Sequence, residues 1–264
     1  MSDLLNTVIL GIIEGITEFL PVSSTGHLLV AERWLGHRSE LFNVAIQAGA
    51  ILAIVLIYWR RIVALLTRSG DPANRDYLAK LVVAFLITGI GGFLATHAGW
   101  KLPETILPVA LALLIGGIAI LVIESYVAGK PSSSVVTWKV AIVVGACQIL
   151  AAIFPGTSRS AATIFAAMLV GLTFRPAATE FAFLVGIPTM FAATGYELLK
   201  VRHQSAGEDW NALLIGFVVS GVVAFVAVKW LLRYVQTHRF TVFAWYRIAL
   251  GGALLAGVLS GALQ

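Results

Sequence analysis

The chain has 264 residues, of which 59% are hydrophobic and only 12% are charged, and its formal net charge is +5. A soluble domain usually carries about a quarter charged residues, so this composition excludes an ordinary soluble domain and indicates an integral membrane protein. Basic residues at the ends of membrane helices explain the positive charge, and no nucleic-acid partner is expected.

The first half of the chain begins with an interrupted apolar region at residues 4–35, in which Glu14 and Glu18 precede the stretch PVSSTGH at 21–27. Each later segment is long enough to cross a hydrocarbon core of about 30 Å as a helix. These uninterrupted segments lie at about 41–60, 78–98 and 104–124. The first half is therefore predicted to contain one broken segment and three membrane spans.

The second half has the same organisation. Residues 140–172 are apolar but are interrupted by PGTSRS at 155–160. With an offset of 134 residues, Pro21 falls on Pro155 and Ser24 on Ser158. Three uninterrupted segments follow at about 177–199, 210–232 and 240–262. The halves, about 1–130 and 131–264, are therefore predicted to be repeats within a single membrane domain.

An odd number of spans in each half gives the two halves opposite orientations in the membrane, which is the inverted-repeat arrangement of many transporters. The broken segments are then re-entrant helix hairpins that approach the bilayer midplane from opposite faces, so their tips should meet. The predicted fold class is an all-α integral membrane protein built as an inverted repeat, with one re-entrant hairpin and three transmembrane helices in each half.

Charge counting predicts the orientation of the chain. The loops around 60–80, 125–140, 175 and 229–247 would share one side of the membrane. They carry twelve Lys and Arg residues, Arg247 among them, against five on the other side. The positive-inside rule makes the side with twelve cytoplasmic and places both termini outside.

Glu14 and Glu18 are four residues apart and therefore share one helical face. Each carboxylate would cost roughly 2.5 to 3.5 kcal/mol at the bilayer centre, so the pair needs compensation. A divalent cation such as Mg²⁺ would supply it, because its usual ligands are one or two carboxylates together with substrate phosphate oxygens. The alternative is that one glutamate lies at an aqueous interface while the other is protonated or hydrogen-bonded.

The stretch after Pro21 is predicted to start a new helix. Unpaired N–H groups and the positive end of the helix dipole make such a start an anion site, and phosphate is the expected anion. Ser24 and His27 are three residues apart on the same side of the first helical turn, so His27 is expected to contact either the Ser24 hydroxyl or a bound phosphoryl group. The alternative is that Ser24 is only a helix N-cap and His27 a packing histidine. Further candidates for substrate binding are Ser23, Thr25 and Gly26.

The second tip adds Arg159. A guanidinium among apolar helices is costly unless it meets an anion, and its fork matches phosphate oxygens, so Arg159 is expected to clamp phosphate. The alternative is an ion pair between Arg159 and Glu14 or Glu18 without a ligand. The flanking candidates for substrate binding are Thr157, Ser158 and Ser160.

Four other side chains give weaker signals. Gln47 and Glu180 lie near the starts of corresponding spans and are predicted to support the site, although an interfacial position suits Glu180 equally well. Glu104 and Glu124 lie at span ends and are expected in the headgroup region.

The motifs EGITEFLPVSSTGH at 14–27, IQAG at 46–49 and PGTSRSAAT at 155–163 closely resemble the signature motifs of the bacterial undecaprenyl-pyrophosphate phosphatase family, the bacitracin-resistance type. The similarity covers essentially the whole chain in length, number of spans and motif placement. It implies a phosphatase of the bacterial cytoplasmic membrane that hydrolyses a polyprenyl diphosphate on the outer side. The monophosphate product is recycled as the lipid carrier for peptidoglycan.

The resemblance also implies cofactors, assembly and residue roles. Family members require Mg²⁺ or Ca²⁺, adopt an inverted-repeat fold and are often homodimers. Glu14 and Glu18 match the carboxylates of the first motif, which makes them catalytic residues and metal ligands. Ser24 and His27 match its hydroxyl and imidazole, and Arg159 matches the arginine of the second motif.

These residues suit metal-assisted phosphoryl transfer, in which Ser24 attacks the terminal phosphorus while His27 or Glu18 takes its proton. Attack by His27 itself, or by a metal-bound water, is left open by the sequence. The alternative function is a polyprenyl-phosphate flippase or transporter that uses the same midplane site, since an inverted repeat suits it equally well. Paired carboxylates beside hydroxyls and an arginine favour the hydrolase.

Overall fold

The computed structural model describes residues 3–68, 70–100, 105–201 and 208–263. Within these ranges the regular secondary structure consists of ten α-helices. They are α1 (Asp3–Thr17), α2 (Ser24–Leu35), α3 (Glu40–Thr67), α4 (Pro72–His97), α5 (Ile106–Ala128), α6 (Trp138–Ile153), α7 (Arg159–Leu169), α8 (Arg175–Val201), α9 (Trp210–Thr237) and α10 (Thr241–Leu259). Two short helices followed by three long ones thus occur twice along the chain.

Six helices of the described ranges are long and apolar enough to cross a membrane, namely α3, α4, α5, α8, α9 and α10. Each coincides with one predicted span, so the prediction of a multi-pass all-α membrane protein is confirmed. The predicted span 104–124 starts at Ile106 in the structure, and residue 104 lies outside the described ranges. Outward-facing apolar side chains such as Ile115 and Val122 of α5 are exposed, as lipid-facing side chains are.

Both broken segments end their first helix close to a proline. Helix α1 ends at Thr17, shortly before Pro21, and α6 ends at Ile153, two residues before Pro155. Proline lacks the backbone N–H that a helix needs and disfavours helical geometry in the residue before it. Each proline therefore separates the two arms of a hairpin, with α1 and α2 in the first and α6 and α7 in the second.

Small residues let the long helices approach closely around the first hairpin. Gly49 of α3 lies against α9, where an added Cβ would be only 2.2 Å from the carbonyl oxygen of Phe217. Ser220 of α9 donates a hydrogen bond to the carbonyl of Ile46 at 2.7 Å. Such close backbone contacts replace the hydrophobic driving force that is missing between helices in lipid. They provide a rigid support for α1, which also packs against α9.

Glu124 lies near the end of α5, and its side chain is buried in the protein and only 1% exposed. Its expected place at the depth of the headgroups stays a prediction. Glu124 accepts hydrogen bonds from Arg175 Nε at 2.9 Å, from Arg175 Nη2 at 2.5 Å and from the backbone N–H of Phe240 at 2.9 Å. The bidentate arginine and the N–H group compensate the buried charge, so the carboxylate joins α5 to the starts of α8 and α10. Glu104 lies outside the described ranges.

We predict that Glu124→Gln lowers the apparent melting temperature of the purified protein in detergent. The substitution leaves the Arg175 guanidinium without its counter-charge, and breaking a buried pair in this way costs about 3–5 kcal/mol. Glu197→Gln is the control, because Glu197 and Lys200 form an exposed pair at 3.5 Å. The melting temperature of Glu124→Gln should be clearly lower than that of the wild-type chain, whereas that of Glu197→Gln should not change. Equal melting temperatures for the two variants would contradict a stabilising role of the Glu124–Arg175 pair.

Candidate active site

The tips of the two hairpins contact each other, as predicted from the paired broken segments. Ser160 Oγ, at the start of α7, donates a hydrogen bond to the carbonyl of Leu20 at 3.0 Å. Arg159 Nη2 lies 2.6 Å from Glu18 Oε1 in an ion pair across the same boundary. Side chains that are 141 positions apart in the sequence therefore form one cluster.

The second helix of each hairpin starts at a serine with a positive backbone φ. Ser23 caps α2 with φ 74° and accepts a hydrogen bond from the N–H of Gly26, and Ser158 caps α7 with φ 66° and accepts from the N–H of Ala161. Among the described residues other than glycine, these two have a positive φ. Such geometry costs of order 1–3 kcal/mol per residue and is concentrated at functional sites.

The caps refine two expectations from the sequence. Ser23, not Ser24, is the N-cap of α2, so the alternative in which Ser24 serves only as a cap is wrong. The cap serines Ser23 and Ser158 differ by 135 positions rather than 134, because the second tip has one more residue between its proline and its cap. Ser24 is therefore the first residue of α2, and its hydroxyl is free to contact another group.

Glu18 is the centre of the cluster. Its Oε2 accepts a hydrogen bond from Ser24 Oγ at 2.5 Å, while its Oε1 accepts from Arg159 Nη2 at 2.6 Å. The Glu18 side chain is 8% exposed, so both interactions are shielded from bulk water. A carboxylate in this position can accept a proton from the hydroxyl and is a counter-ion for the guanidinium.

Arg159 has donors left for a ligand. Besides Glu18, its described partner is the carbonyl of Gly186 in the middle of α8, which accepts from Nη1 at 3.4 Å. A Cβ at Gly186 would lie 3.2 Å from the same nitrogen, so glycine leaves space for the guanidinium. These two hydrogen bonds use two of the five guanidinium N–H donors. The ion pair expected in the absence of a ligand is thus present, and donors for an anion remain.

His27 is held by groups on both sides of its ring. The carbonyl of Ser23 lies 2.7 Å from Nδ1, and because a carbonyl only accepts, Nδ1 carries the proton. In the neutral imidazole, Nε2 then accepts from the hydroxyl of Tyr246 at 2.6 Å. The two rings are nearly parallel, with 4° between their planes. Tyr246 was not predicted from the sequence, because it lies on α10, 219 positions from His27.

Glu14 lies in the last turn of α1 and is 2% exposed. Its Oε2 is buried and has no hydrogen-bond partner among the described residues. An unpartnered buried carboxylate oxygen fits a cation, which would supply the missing interaction. No group of three or more His, Cys, Asp and Glu side chains suited to a metal occurs in the described part of the chain. A cation here would therefore take two carboxylates and complete its shell with hydroxyl, phosphate or water oxygens.

The structure places some of the other predicted residues on the hairpin tips and others outside them. Ser158 and Ser160 share a hydrogen bond at 3.1 Å within the second tip. Gln47 accepts from Thr194 at 3.1 Å and so links α3 to α8. Glu180 pairs instead with Arg61 at 3.2 Å, where both side chains are more than one third exposed, so it is not among the tip residues. The remaining candidates, Thr25, Gly26 and Thr157, lie on the tips, with Thr25 and Thr157 half-buried and Gly26 buried.

Arg247 corrects the charge count made from the sequence. It was assigned to a loop, but it lies inside α10 and its side chain is fully buried. It donates to the carbonyls of Pro21 and Gly156, each at 3.2 Å, and therefore touches both tips. Arg247 therefore does not belong to the loop charges from which the orientation was predicted.

The chain is similar to known proteins over almost its whole length. The family described as Bacitracin resistance protein BacA matches residues 7–253. An undecaprenyl-diphosphatase of Rhizobium johnstonii is 61% identical over 261 residues, which cover 98% of each chain. Proteins of the same name from Rhizobium etli and Xanthomonas euvesicatoria are 60% and 58% identical, with coverage of 98% and 97% of each chain.

The matched region includes all the residues described above at the two hairpin tips and on α10, from Glu14 to Arg247. The family match and the similar proteins confirm the resemblance drawn from the sequence. The chain belongs to the BacA family of bacitracin resistance proteins.

Proposed function

We propose that this chain hydrolyses undecaprenyl diphosphate to undecaprenyl phosphate and inorganic phosphate. The observation that carries the proposal is the Glu18 carboxylate, which accepts hydrogen bonds from Ser24 at 2.5 Å and Arg159 at 2.6 Å. The Ser24 hydroxyl, the Glu18 carboxylate and the Arg159 guanidinium thus lie in one cluster, and they suit the roles of nucleophile, base and phosphate clamp. The relatives named undecaprenyl-diphosphatase favour this activity over a flippase.

In the proposed reaction, Ser24 Oγ attacks the terminal phosphorus while its proton passes to Glu18 Oε2, which lies 2.5 Å away. The bond from this phosphorus to the bridging oxygen breaks, and undecaprenyl phosphate leaves with the bonding electrons. The proton on Glu18 leaves with the undecaprenyl phosphate, so that Glu18 is again a carboxylate. Water then attacks the phosphorus of the phosphoserine and gives a proton to Glu18, which passes it to Ser24 Oγ as the bond between Oγ and phosphorus breaks. Inorganic phosphate and the free hydroxyl are formed.

Arg159 responds to the same proton transfer. Once Glu18 is protonated, it is no longer a full counter-ion for the guanidinium 2.6 Å away. The guanidinium fork is then available to the phosphoryl oxygens at the moment when they need charge stabilisation. A single proton transfer therefore activates the nucleophile and strengthens the phosphate clamp.

His27 is less suited than Glu18 to act on Ser24. Its Nδ1–H is engaged by the Ser23 carbonyl at 2.7 Å and its Nε2 by Tyr246 at 2.6 Å. Proton acceptance or nucleophilic attack by His27 would first require the bond to Tyr246 to break. We therefore assign His27 to the support of the Ser23 turn, and Ser24 rather than His27 to the attack on phosphorus.

A divalent cation, Mg²⁺ or Ca²⁺, is proposed to be held by Glu14 and Glu18. The support for this is the buried Glu14 oxygen without a hydrogen-bond partner. When bound, such a cation neutralises the charge of the diphosphate oxygens. Of the two carboxylates, Glu14 is the one with a buried oxygen that no described group contacts by a hydrogen bond.

The prenyl chain is proposed to lie in an apolar cavity of about 650 Å³ between α5 and the second hairpin. Along α5 the cavity extends from Leu107 to Ile123, which is about 24 Å at the rise of an α-helix. Pro155 and Thr157 of the second tip also line it. A lipid in this position keeps its tail among apolar side chains and brings its diphosphate to the tips.

We further propose that the halves are related as an inverted repeat, with the active site open to the outer side and both termini outside. If the halves are related by a two-fold axis, each of α1–α5 corresponds to one of α6–α10, in the same order. The contact between α1 and α9 then corresponds to that between α6 and α4. The contact between α3 and α9 corresponds to that between α8 and α4. All four contacts occur, which supports a two-fold relation. A homodimer, implied by the resemblance, stays a prediction.

The orientation predicts which loops react from outside the cell. In a Cys147→Ala background, a cysteine at His37 should react with a membrane-impermeant thiol reagent on intact spheroplasts, because the turn between α2 and α3 would be outside. A cysteine at Asp71, between α3 and α4, should react only after the membrane is permeabilised. Labelling of both positions from the same side would contradict the proposed topology.

We predict that the purified protein in detergent releases phosphate from undecaprenyl diphosphate with Mg²⁺ or Ca²⁺, and that a chelator stops the release. Mass spectrometry of acid-quenched enzyme should show phosphate on Ser24, because the mechanism passes through a phosphoserine. Ser24→Ala should lose both signals. Binding of the lipid without phosphate release would support the carrier function instead, and an active Ser24→Ala variant would exclude Ser24 as the nucleophile.

Arg159→Lys should lower the turnover number about 100-fold, the scale seen when one donor to a developing negative charge is lost. Lysine retains the charge but not the fork that contacts Glu18 and the phosphate together. Arg38→Lys is the control, since Arg38 forms an ion pair at 2.7 Å with Asp3 away from the tips. Near-normal turnover of Arg159→Lys would remove Arg159 from the clamp role.

A further inference from the structure

Arg247 is buried in an unusual way for a charged side chain. It is 0% exposed, and the groups around its guanidinium are backbone carbonyls. Nη1 donates to Pro21 at 3.2 Å, and Nη2 donates to Gly156 at 3.2 Å and to Ala112 of α5 at 2.9 Å. Within the described ranges no carboxylate forms an ion pair with it.

The two carbonyls that Arg247 contacts on the tips are equivalent positions. Pro21 lies two residues before the cap serine of α2, and Gly156 lies two residues before the cap serine of α7. Ser24 follows the first carbonyl by three residues, and Arg159 follows the second by three. One guanidinium therefore holds the backbone at equivalent positions of both tips, three residues before the proposed nucleophile in one tip and three residues before the proposed phosphate clamp in the other.

Arg175 shows what a structural arginine looks like in the same protein. Its guanidinium is paired bidentately with the buried Glu124, so its charge is compensated. Arg247 has no such partner in the described part of the chain, and its Nε makes no hydrogen bond. A buried charge compensated only by carbonyl dipoles is costly, which argues that its particular contacts are needed.

Gly116 of α5 provides the space for this guanidinium. An added Cβ would lie 2.2 Å from Arg247 Nη2 and 2.9 Å from its Cζ, far closer than real atoms approach. The glycine is midway along α5, one helical turn beyond Ala112, whose carbonyl also accepts from Arg247. The space is thus made by a helix that belongs to neither hairpin.

We propose that Arg247 is a positioning residue for the phosphatase reaction, which holds the two tips in the register that places Ser24, Glu18 and Arg159 together. This inference rests on the proposed function. Arg247 acts through the backbone of the tips: the acceptors of its described hydrogen bonds are backbone carbonyls, and none of the three reacting side chains is among them. Loss of its hydrogen bonds should therefore reduce turnover much more than substrate binding.

The test compares Arg247→Met, Arg247→Lys and Gly116→Ala with the wild-type chain. Arg247→Met and Arg247→Lys should each lower kcat about 100-fold with little change in KM, because a misplacement of about 1 Å has an effect of this size. Lysine keeps the charge but cannot reach carbonyls on both tips. Gly116→Ala should also lower kcat, since it displaces the guanidinium while the residue itself stays arginine.

Hydrogen exchange measured by mass spectrometry gives a readout that does not depend on hydrolysis. Peptides that cover residues 20–27 and 155–161 should exchange faster in the two Arg247 variants, while peptides of α3 and α9 should not change. Arg175→Met is the matched control: it removes another guanidinium that is hydrogen-bonded within the protein, to the buried Glu124, and should lower the melting temperature. It should leave kcat of the folded protein and exchange at the tips unchanged.

Several results would overturn the inference. Full turnover of Arg247→Lys would mean that charge alone matters, and faster exchange at only one tip, or at neither, would exclude the double clamp. If Arg247→Met does not fold, the lysine and Gly116→Ala variants decide, and full turnover of both would reject the role. A wild-type protein that releases no phosphate would refute the proposed function, whereas the exchange data would still report on the clamp.

Discussion

Polar groups inside a bundle of apolar helices must find partners in the protein, and the two hairpin tips meet this requirement by contacting each other. Glu18 pairs with Arg159, and Ser160 donates to the carbonyl of Leu20. Neither tip alone satisfies its charged side chain. The contact that stabilises the buried ends is therefore the same contact that assembles a hydroxyl, a carboxylate and a guanidinium into a site.

The buried charges differ in how far the protein compensates them. Glu124 and Arg175, at the ends of their helices, form a bidentate pair that is complete without a ligand. Arg159 uses only part of its donors, and Glu14 keeps a buried oxygen without a partner. Compensation thus decreases toward the tips, where a diphosphate and a cation would complete it. The guanidinium donors left on Arg159 suit an anion, and the oxygen left on Glu14 suits a cation.

Much of the fold follows from composition and from the spacing of a few interruptions. The six spans are long, uniformly apolar segments, and all six occur as helices at the predicted places. The meeting of Glu18 and Arg159 was also predictable, since two intramembrane charges of opposite sign need partners. The exact start of α2 could not be predicted, because serine is a good N-cap and the sequence has two in a row, Ser23 and Ser24. The backbone φ of 74° at Ser23 identifies it as the cap in the structure.

Residues on α10 escaped prediction for a different reason. The contact between His27 and Tyr246 joins positions 219 apart, and that between Pro21 and Arg247 joins positions 226 apart, so neither leaves a local pattern. Arg247 also looked like an ordinary basic residue near a span end, which the positive-inside rule assigns to a loop.

Consecutive residues of a helix point about 100° apart, which explains how α10 serves both hairpins at once. Tyr246 reaches the imidazole of His27 at the start of α2, while Arg247 turns toward the carbonyls that precede both caps. Because α10 packs along α5, which provides the space at Gly116, these two side chains are fixed by helices outside the hairpins. The candidate active site is therefore built by the two tips, while the groups that contact both tips come from a third element, α10.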